Sequence, residues 1–357
     1  MKLKKFHKLL TIVSIVILLF IVVMLWSSRT ILKKNRGKRI SNDYEIALIK
    51  YDTIDNLYFE LVEQGVKKAA TSFSKNYKVL NVSDYNASNE ETLKTAVEDG
   101  ATIVVFPDAS FEEVVYNYQK VYPYTTLVLV DGIPRNADGS DTVVNNNVLS
   151  VQYDEAEAGF FAGYASVCSG YRKLTFVCED NSLKSMHFCY GFLQGADYAA
   201  GDLGISDVLV QTIHRNSDEN VSMVMDRISK ETDIIATLST EVVEAVRDTN
   251  YKIIFCGGYN MEAENVVATV NNDITAIVND VIVDLLAKNV EGGTTVNFDT
   301  SNNNIAFQTA GSYFEAFTKD VRKSLSKRIE EGDITIISDT TVTTEELGLM
   351  HITVRNK

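Results

Sequence analysis

The sequence predicts an α/β protein of two Rossmann-like lobes with parallel sheets, preceded by an N-terminal transmembrane helix. Three observations predict it. From Tyr44 onward, short apolar runs alternate with amphipathic stretches, the rhythm of βα units feeding parallel sheets. That rhythm halts in the turn-rich stretch IPRNADGSDTVVNNN (133–147) and then restarts, so there are two such sets. Near the N-terminus, eighteen residues are apolar apart from Thr11 and Ser14.

That apolar run, Leu9–Trp26, approaches the ~20 residues that span a bilayer, and Trp26 sits where an interfacial aromatic belongs. A cleaved signal peptide is the alternative, but MLWSSRT offers no clean small-x-small site. Residues 1–8 form a basic cytoplasmic tail and 27–43 a polar linker. Four Lys precede the span and six bases follow it, a count that opposes an outside body, although large following domains translocate largely regardless of it.

In the first set, YEIALIKY (44–51) reads as a strand, and Leu57, Phe59, Leu61, Val62, Val66 and Ala69 give helical spacing over about 55–74. KVLNVSDY (78–85) is a strand, and the Ser88/Glu91 capping box starts a helix in ASNEETLKTAVED. ATIVVFPD (101–108) is continuously apolar, as a strand buried on both faces should be. A helix over 111–120 and the strand TTLVLVDG (125–132) complete the set. In the second set VLSVQY (148–153) enters a helix rich in small residues, Ala158, Gly159, Ala162, Gly163 and Ala165, which permit close packing. Strands at 172–179, 208–214, 233–239 and 252–258 alternate with helices at about 184–200, 219–230 and 240–248. ITAIVND (274–280) leads into VIVDLLAKN, and NIAFQTA (304–310), a helix over 312–330 and DITIIS (333–338) follow. Lobe 1 is therefore expected at 44–147, completed by about 278–295. Lobe 2 is expected at 148–277, completed by about 300–340, with 341–357 as a C-terminal extension.

Composition excludes several functions. Of 34 Lys+Arg, ten lie in residues 1–39, which hold no acid; the remainder carries 24 bases against 48 acids, a net of −24. Such a body repels phosphate backbones, so no nucleic-acid partner is expected. No GxGxxG, Walker A, HExxH or GxSxG element appears, and no His has a spaced partner, so neither a cofactor, a metal site nor an enzyme is expected. Cys168, Cys178, Cys189 and Cys256 stand in apolar stretches and read as buried free thiols, with one disulfide left open.

Open α/β sheets bind ligands beyond the carboxyl ends of their strands. The candidates there are Asp52, Asp108, Ser110 and Asp131 in lobe 1, and Ser239 and the Gly257–Asn260 loop, with Gly257 and Tyr259, in lobe 2. Ordinary helix capping explains each Asp or Ser singly, and their convergence on one cleft is the functional argument. Tyr58, Phe59 and Phe111 offer aromatic faces to a flat ligand, or to helix packing.

FPDASFEEVVYNYQKVYPYTTLVLVDG, NNVLSVQYDEAEAGFFAGYASVCSG, FCYGFLQGADYAAGDLG and KRIEEGDITI, in that order, resemble segments of the basic membrane protein (BMP, PnrA-like) family. This family has the type I periplasmic-binding fold and consists mainly of bacterial surface lipoproteins that deliver purine nucleosides to ABC transporters. The resemblance runs over about 44–338 and implies that Asp52 binds ligand, that Tyr58 occupies the position of a stacking Phe, and that Asp131 approaches ribose hydroxyls. There are departures. Phe59 replaces a motif Asn, Gly257 and Tyr259 replace two Asp, Asn279 stands where the family has Lys, and the lipobox is replaced by the apolar span. The expectation is a membrane-anchored extracytoplasmic solute-binding protein that closes on a nucleoside-like small molecule for an ABC permease or a membrane sensor. The alternative is a regulatory or sensory interaction protein reusing the fold.

Overall fold

The computed structural model describes residues 44–52, 57–82, 89–179, 182–216, 218–300 and 304–356. The expected span 9–26, the basic tail, the linker and Ser88 of the capping box lie outside the described residues. The chain runs β1 (Ile46–Tyr51), α1 (Leu57–Ser72), β2 (Tyr77–Val82), α2 (Asn89–Glu98), β3 (Ile103–Phe106), α3 (Glu112–Tyr118), β4 (Thr126–Val130) and β5 (Val148–Tyr153). It continues through α4 (Glu155–Cys168), β6 (Lys173–Glu179), α5 (Leu183–Leu203), β7 (Val208–Arg215), α6 (Val221–Arg227), β8 (Ile234–Thr237), α7 (Thr240–Ala245) and β9 (Lys252–Phe255). The last elements are β10 (Val266–Asn272), α8 (Ile274–Ala287), β11 (Thr294–Phe298), β12 (Ile305–Thr309), α9 (Lys319–Glu330) and β13 (Ile352–Asn356).

Two sheets result, ordered β11-β5-β4-β3-β1-β2 and β12-β10-β9-β8-β6-β7-β13. Every pairing is parallel except β10 with β12. The apolar runs follow from burial on both faces: in β1, Ile46 and Leu48 join one core cluster while Ala47, Ile49 and Tyr51 join the opposite one.

Several elements differ from the sequence reading. β5, read there as opening the second set, pairs with β4 and β11 and so belongs to the first sheet. Residues 274–287 form one helix, and β10 and β11, which the reading left unassigned, are strands. DITIIS is not a strand: β12 and β13 occupy the second sheet's two edges. Residue Ile337 instead exchanges backbone hydrogen bonds with the Gln194 amide at 2.8 and 2.9 Å. The C-terminal stretch is integral, because Asp197 accepts the backbone N–H groups of Met350, His351 and Ile352 and β13 pairs with β7.

The chain passes between sheets three times, at Asp154, at Asp273 and between Phe298 and Ile305. These crossings are tied together: Asp154 N–H donates to Phe298 O (3.2 Å) and Asp273 N–H to Asn304 O (2.6 Å). Thr300 N–H donates to the Glu157 carboxylate (2.6 Å). Asp154 and Asp273 also cap α4 and α8, so each crossing ends at a rigid helix start.

Helices α4 and α5 meet backbone to backbone. A Cβ at Gly159 or Gly163 would land on the carbonyl oxygens of Phe188 or Phe192, and one at Gly191 or Gly195 on those of Ala156 or Phe160. An exposed helical Gly→Ala change gains about 1 kcal/mol. Gly191→Ala should instead destabilise by about 1–3 kcal/mol, because the helices must separate; the urea midpoint checks this.

Burial pushes the Glu157 carboxyl from 4.5 up to about 7, against the opposing hydrogen bond from Thr300. The folded state therefore holds a proton that unfolding releases between pH ~4.5 and ~7, and stability contributed here falls as pH rises through that window. Glu157→Gln should be stabilised relative to the parent at pH 8, on the order of 2 kcal/mol more than at pH 4. Thermal melts of both proteins across that range read the difference.

Candidate functional site

Between the two sheets lies a cavity of about 620 Å³. Its lobe 1 wall is made by the ends of β4 and β5. Asp131, just past β4, holds φ +56°, a left-handed conformation that a non-glycine residue adopts at a cost. The Ser150 hydroxyl donates to Gly132 O and pins the turn that follows.

The lobe 2 wall begins at the first turn of α5, capped by Ser182, and from it Lys184 reaches across the cleft. Its ammonium donates to Asp131 Oδ2 at 2.9 Å and to the Tyr153 hydroxyl at 3.0 Å, and it stands 3.4 Å from Glu155 Oε1. The same nitrogen lies 4.8 Å from the Tyr153 ring centroid and 5.7 Å from that of Tyr58. The hydroxyls of Tyr58 and Tyr153 share a 3.1 Å hydrogen bond. The ammonium thus sits in a cage of two aromatic faces and two carboxylates.

Burial works most strongly against the Lys184 charge, yet Asp131 and Glu155 reverse it and hold the ammonium above its ordinary pKa. Burial first, then the charges of Tyr153 and Asp131, pushes Tyr58 well above the usual tyrosine range, and burial with Asp131 and Glu155 does the same to Tyr153. Both tyrosines therefore stay neutral hydrogen-bonding groups. His187, 3.9 Å from Glu155, is raised by its hydrogen bond to that carboxylate, with burial opposing. Six carboxylates line the cavity against Lys184, Arg135 and His187, and Arg135 is already paired with Glu112 at 2.5 Å. Such a wall favours neutral or cationic ligands over phosphates.

The sequence candidates are distributed unevenly around this cavity. Asp131 lines it, and Tyr58 meets its polar centre. Asp108, half-buried, caps the 3₁₀ turn Ala109–Phe111 beside it; burial raises its carboxyl, and hydrogen bonds from Ser110 partly offset this. Phe59 turns into the core and meets Tyr58 in an edge-type contact, 6.1 Å between centroids, and Phe111 stacks on Tyr51 in the same core. Asp52 is exposed, and its backbone N–H donates to Val82 O at 2.9 Å. Ser239 caps α7 and accepts from Arg215, which also pairs with Glu179 and Glu241. Gly257 lies on the Phe255 ring, and Tyr259 packs 5.1 Å from the same ring. The intervening Gly258 approaches Tyr58 across the cleft, 3.8 Å from a hypothetical Cβ to Tyr58 Cδ2. Asn279 is buried in α8 with Nδ2 on Asp280 (2.8 Å), and its Oδ1 has no partner among the described residues.

Tyr153, Glu155, Glu157, Lys184 and His187 were not singled out from sequence. Tyr153 carried a usable signal: once β5 is assigned to the first sheet, Tyr153 is its strand-end residue, beside Asp131. Lys184 carried none, since its partner is 53 residues away on the other lobe. Among the described residues no group of three His, Cys, Asp or Glu is arranged to hold a metal, and no helix is long and apolar enough to cross a membrane.

The fold has many solved counterparts. A solute-binding protein of an ABC transporter system from Conexibacter woesei DSM 14684 superposes with TM-score 0.62 at 13% identity, covering 82% of this chain and 98% of that one. Another, from Aeropyrum pernix K1, gives 0.59 at 13% identity, with 85% and 95% covered. A transcriptional activator of the comK gene from Bacillus halodurans gives 0.59 at 14%, with 84% and 99% covered. At these identities the likeness establishes the fold, the two-lobed α/β architecture of periplasmic-binding type. No curated protein sequence matches the chain. The family model described as ABC transporter substrate-binding protein PnrA-like matches residues 45–338. Its members bind solutes and are not enzymes. On a match covering both lobes and every element that walls the cleft, the chain belongs to the PnrA-like family of ABC transporter substrate-binding proteins.

Proposed function

We propose that this protein is a membrane-anchored extracytoplasmic receptor that closes its lobes on a neutral, hydroxyl-bearing ring compound of the nucleoside class and presents it to an ABC permease. The observation that carries the reading is the constellation of Asp131, Tyr153, Tyr58 and Lys184, which spans the cleft and offers acceptors, donors and aromatic faces around one point. Asp131 suits a pair of sugar hydroxyls, and a tyrosine face suits a base. The carboxylate-rich lining disfavours a nucleotide's phosphate. Residues 9–26 supply the anchor in this reading; Asp108 and Ser110 flank the contacts, while Asp52, Ser239 and Asn279 have their partners elsewhere.

Isothermal calorimetry of the full chain in detergent, against a panel of nucleosides and their monophosphates, tests the ligand class. At least one purine nucleoside should bind and its monophosphate should not. Asp131→Ala should weaken that binding by about 10- to 100-fold, the worth of a hydrogen bond to a charged group. Membranes washed at alkaline pH should retain the chain, and protease added to intact cells should digest the body.

A second reading, a sensory or regulatory protein reusing the cleft, is favoured by one feature. The Gly257–Tyr259 loop packs on Phe255 and offers no carboxylate from lobe 2. Failure of the whole nucleoside panel would favour it.

A further inference from the structure

Three sulfur atoms converge behind the cleft, at the carboxyl end of β6. Cys178 is on that strand, and Met186 and Cys189, three residues apart, share the face of α5 packed over it. Cys178 Sγ stands 3.2 Å from Met186 Sδ and shares a hydrogen bond with the Cys189 thiol. His214, the registered neighbour of Cys178 on β7, hydrogen-bonds the same sulfur. Ser185 Oγ approaches it at 3.7 Å and also accepts the Glu179 N–H at 2.9 Å. Cys178 and Cys189 are fully buried beside Phe188 and Phe192, whereas Met186 and His214 are part-exposed and mark an approach from solvent. Cys168 and Cys256 make their own separate contacts, with Ala316 O and Ile254 O.

Two thiols and a thioether are a soft donor set. Hard cations prefer oxygen, and zinc, which also takes thiolates, completes a four-ligand tetrahedron, whereas closed-shell monovalent copper is satisfied by two or three sulfurs. Donors aimed at Cys178 from His214 and Ser185 would orient the sulfur and stabilise negative charge on it, as partners of ligating groups do.

We propose that Cys178, Met186 and Cys189 form a binding site for a soft monovalent metal ion of the copper(I) class, with His214 positioning Cys178. Each thiol that ligates the ion gives up its proton to solvent, and no change of oxidation state is involved. The site is independent of the nucleoside reading. It shares α5 with Lys184 and His187, so an ion there would fasten the helix start that carries two cleft residues.

The test uses the full chain, reduced and then handled anaerobically, titrated with copper(I) in competition with bicinchoninate. One copper per chain should be withdrawn from the chelator, and X-ray absorption should show sulfur neighbours alone. Cys178→Ser and Cys189→Ser should each weaken retention at least as much as loss of an outer-shell partner does, about 10- to 100-fold. Met186→Leu conserves volume, so it should fold and yet weaken binding in the same direction. The proposal is overturned if the parent withdraws no copper, which is the result expected of sulfurs that only fill the core. It is also overturned if Met186→Leu leaves the affinity unchanged, or if Cys178→Ser,Cys189→Ser binds as tightly as the parent. If a cysteine variant fails to fold, the methionine variant decides alone.

Discussion

The close approach of α4 and α5 is the constraint on which the cleft depends. Four glycines, two on each helix, set each backbone directly against the carbonyl oxygens of the other. A glycine without a Cβ is the residue that permits such contact, and the intrinsic helix cost of four glycines is offset by the packing it allows. The consequence is positional. α4 leaves the first sheet at Asp154, and α5, locked against it, starts where Lys184 can reach Asp131 and Tyr153. The same helix start carries His187 into the cavity and lays Met186 and Cys189 over Cys178.

Electrostatics then decides what the cleft accepts. The body is acidic overall, and the cavity wall repeats that excess locally. A lysine taken out of water would ordinarily lose its charge, but Asp131 and Glu155 on either side keep it protonated. The two tyrosines beside it are held neutral by burial and by Asp131, with Glu155 adding to the effect on Tyr153. The result is a preorganised set of donors, acceptors and ring faces in which net anionic ligands meet repulsion. Such an arrangement costs little reorganisation on binding.

The three crossings supply the mechanical side. Each is short, each is tied to another by a backbone hydrogen bond or by Glu157, and two lead straight into capped helices. Each lobe keeps its own open, mostly parallel sheet and its own core clusters, the condition under which two lobes can move as rigid bodies. Lys184 bridges the lobes beside the Asp154 crossing, through Tyr153 and Glu155, and also reaches Asp131 past the end of β4, so opening the cleft there breaks the contact with Asp131. Lobe closure and the polar centre of the site are thereby linked.

Local pattern determined a good deal by itself. Continuous apolar runs identified most strands of both sheets, because burial on two faces leaves that signature whatever the partner strand is. The small residues of 158–165 announced close packing, and Asp131 at the end of a strand announced a cleft position, where it lines the cavity. Tertiary structure alone decided the rest. Whether β5 joins the first or the second sheet depends on pairing with β4 and β11, the latter more than a hundred residues onward, and no local period encodes that. Strand-end position alone did not distinguish Asp131, in the cavity, from Asp52, exposed to solvent, or Ser239, spent on a helix cap. The Lys184–Asp131 contact and the convergence of Cys178 with Met186 and Cys189 exist only once two lobes and a strand–helix layer are assembled. Periodicity reports which face of an element is buried; which side chains then meet is set by packing between elements distant in sequence.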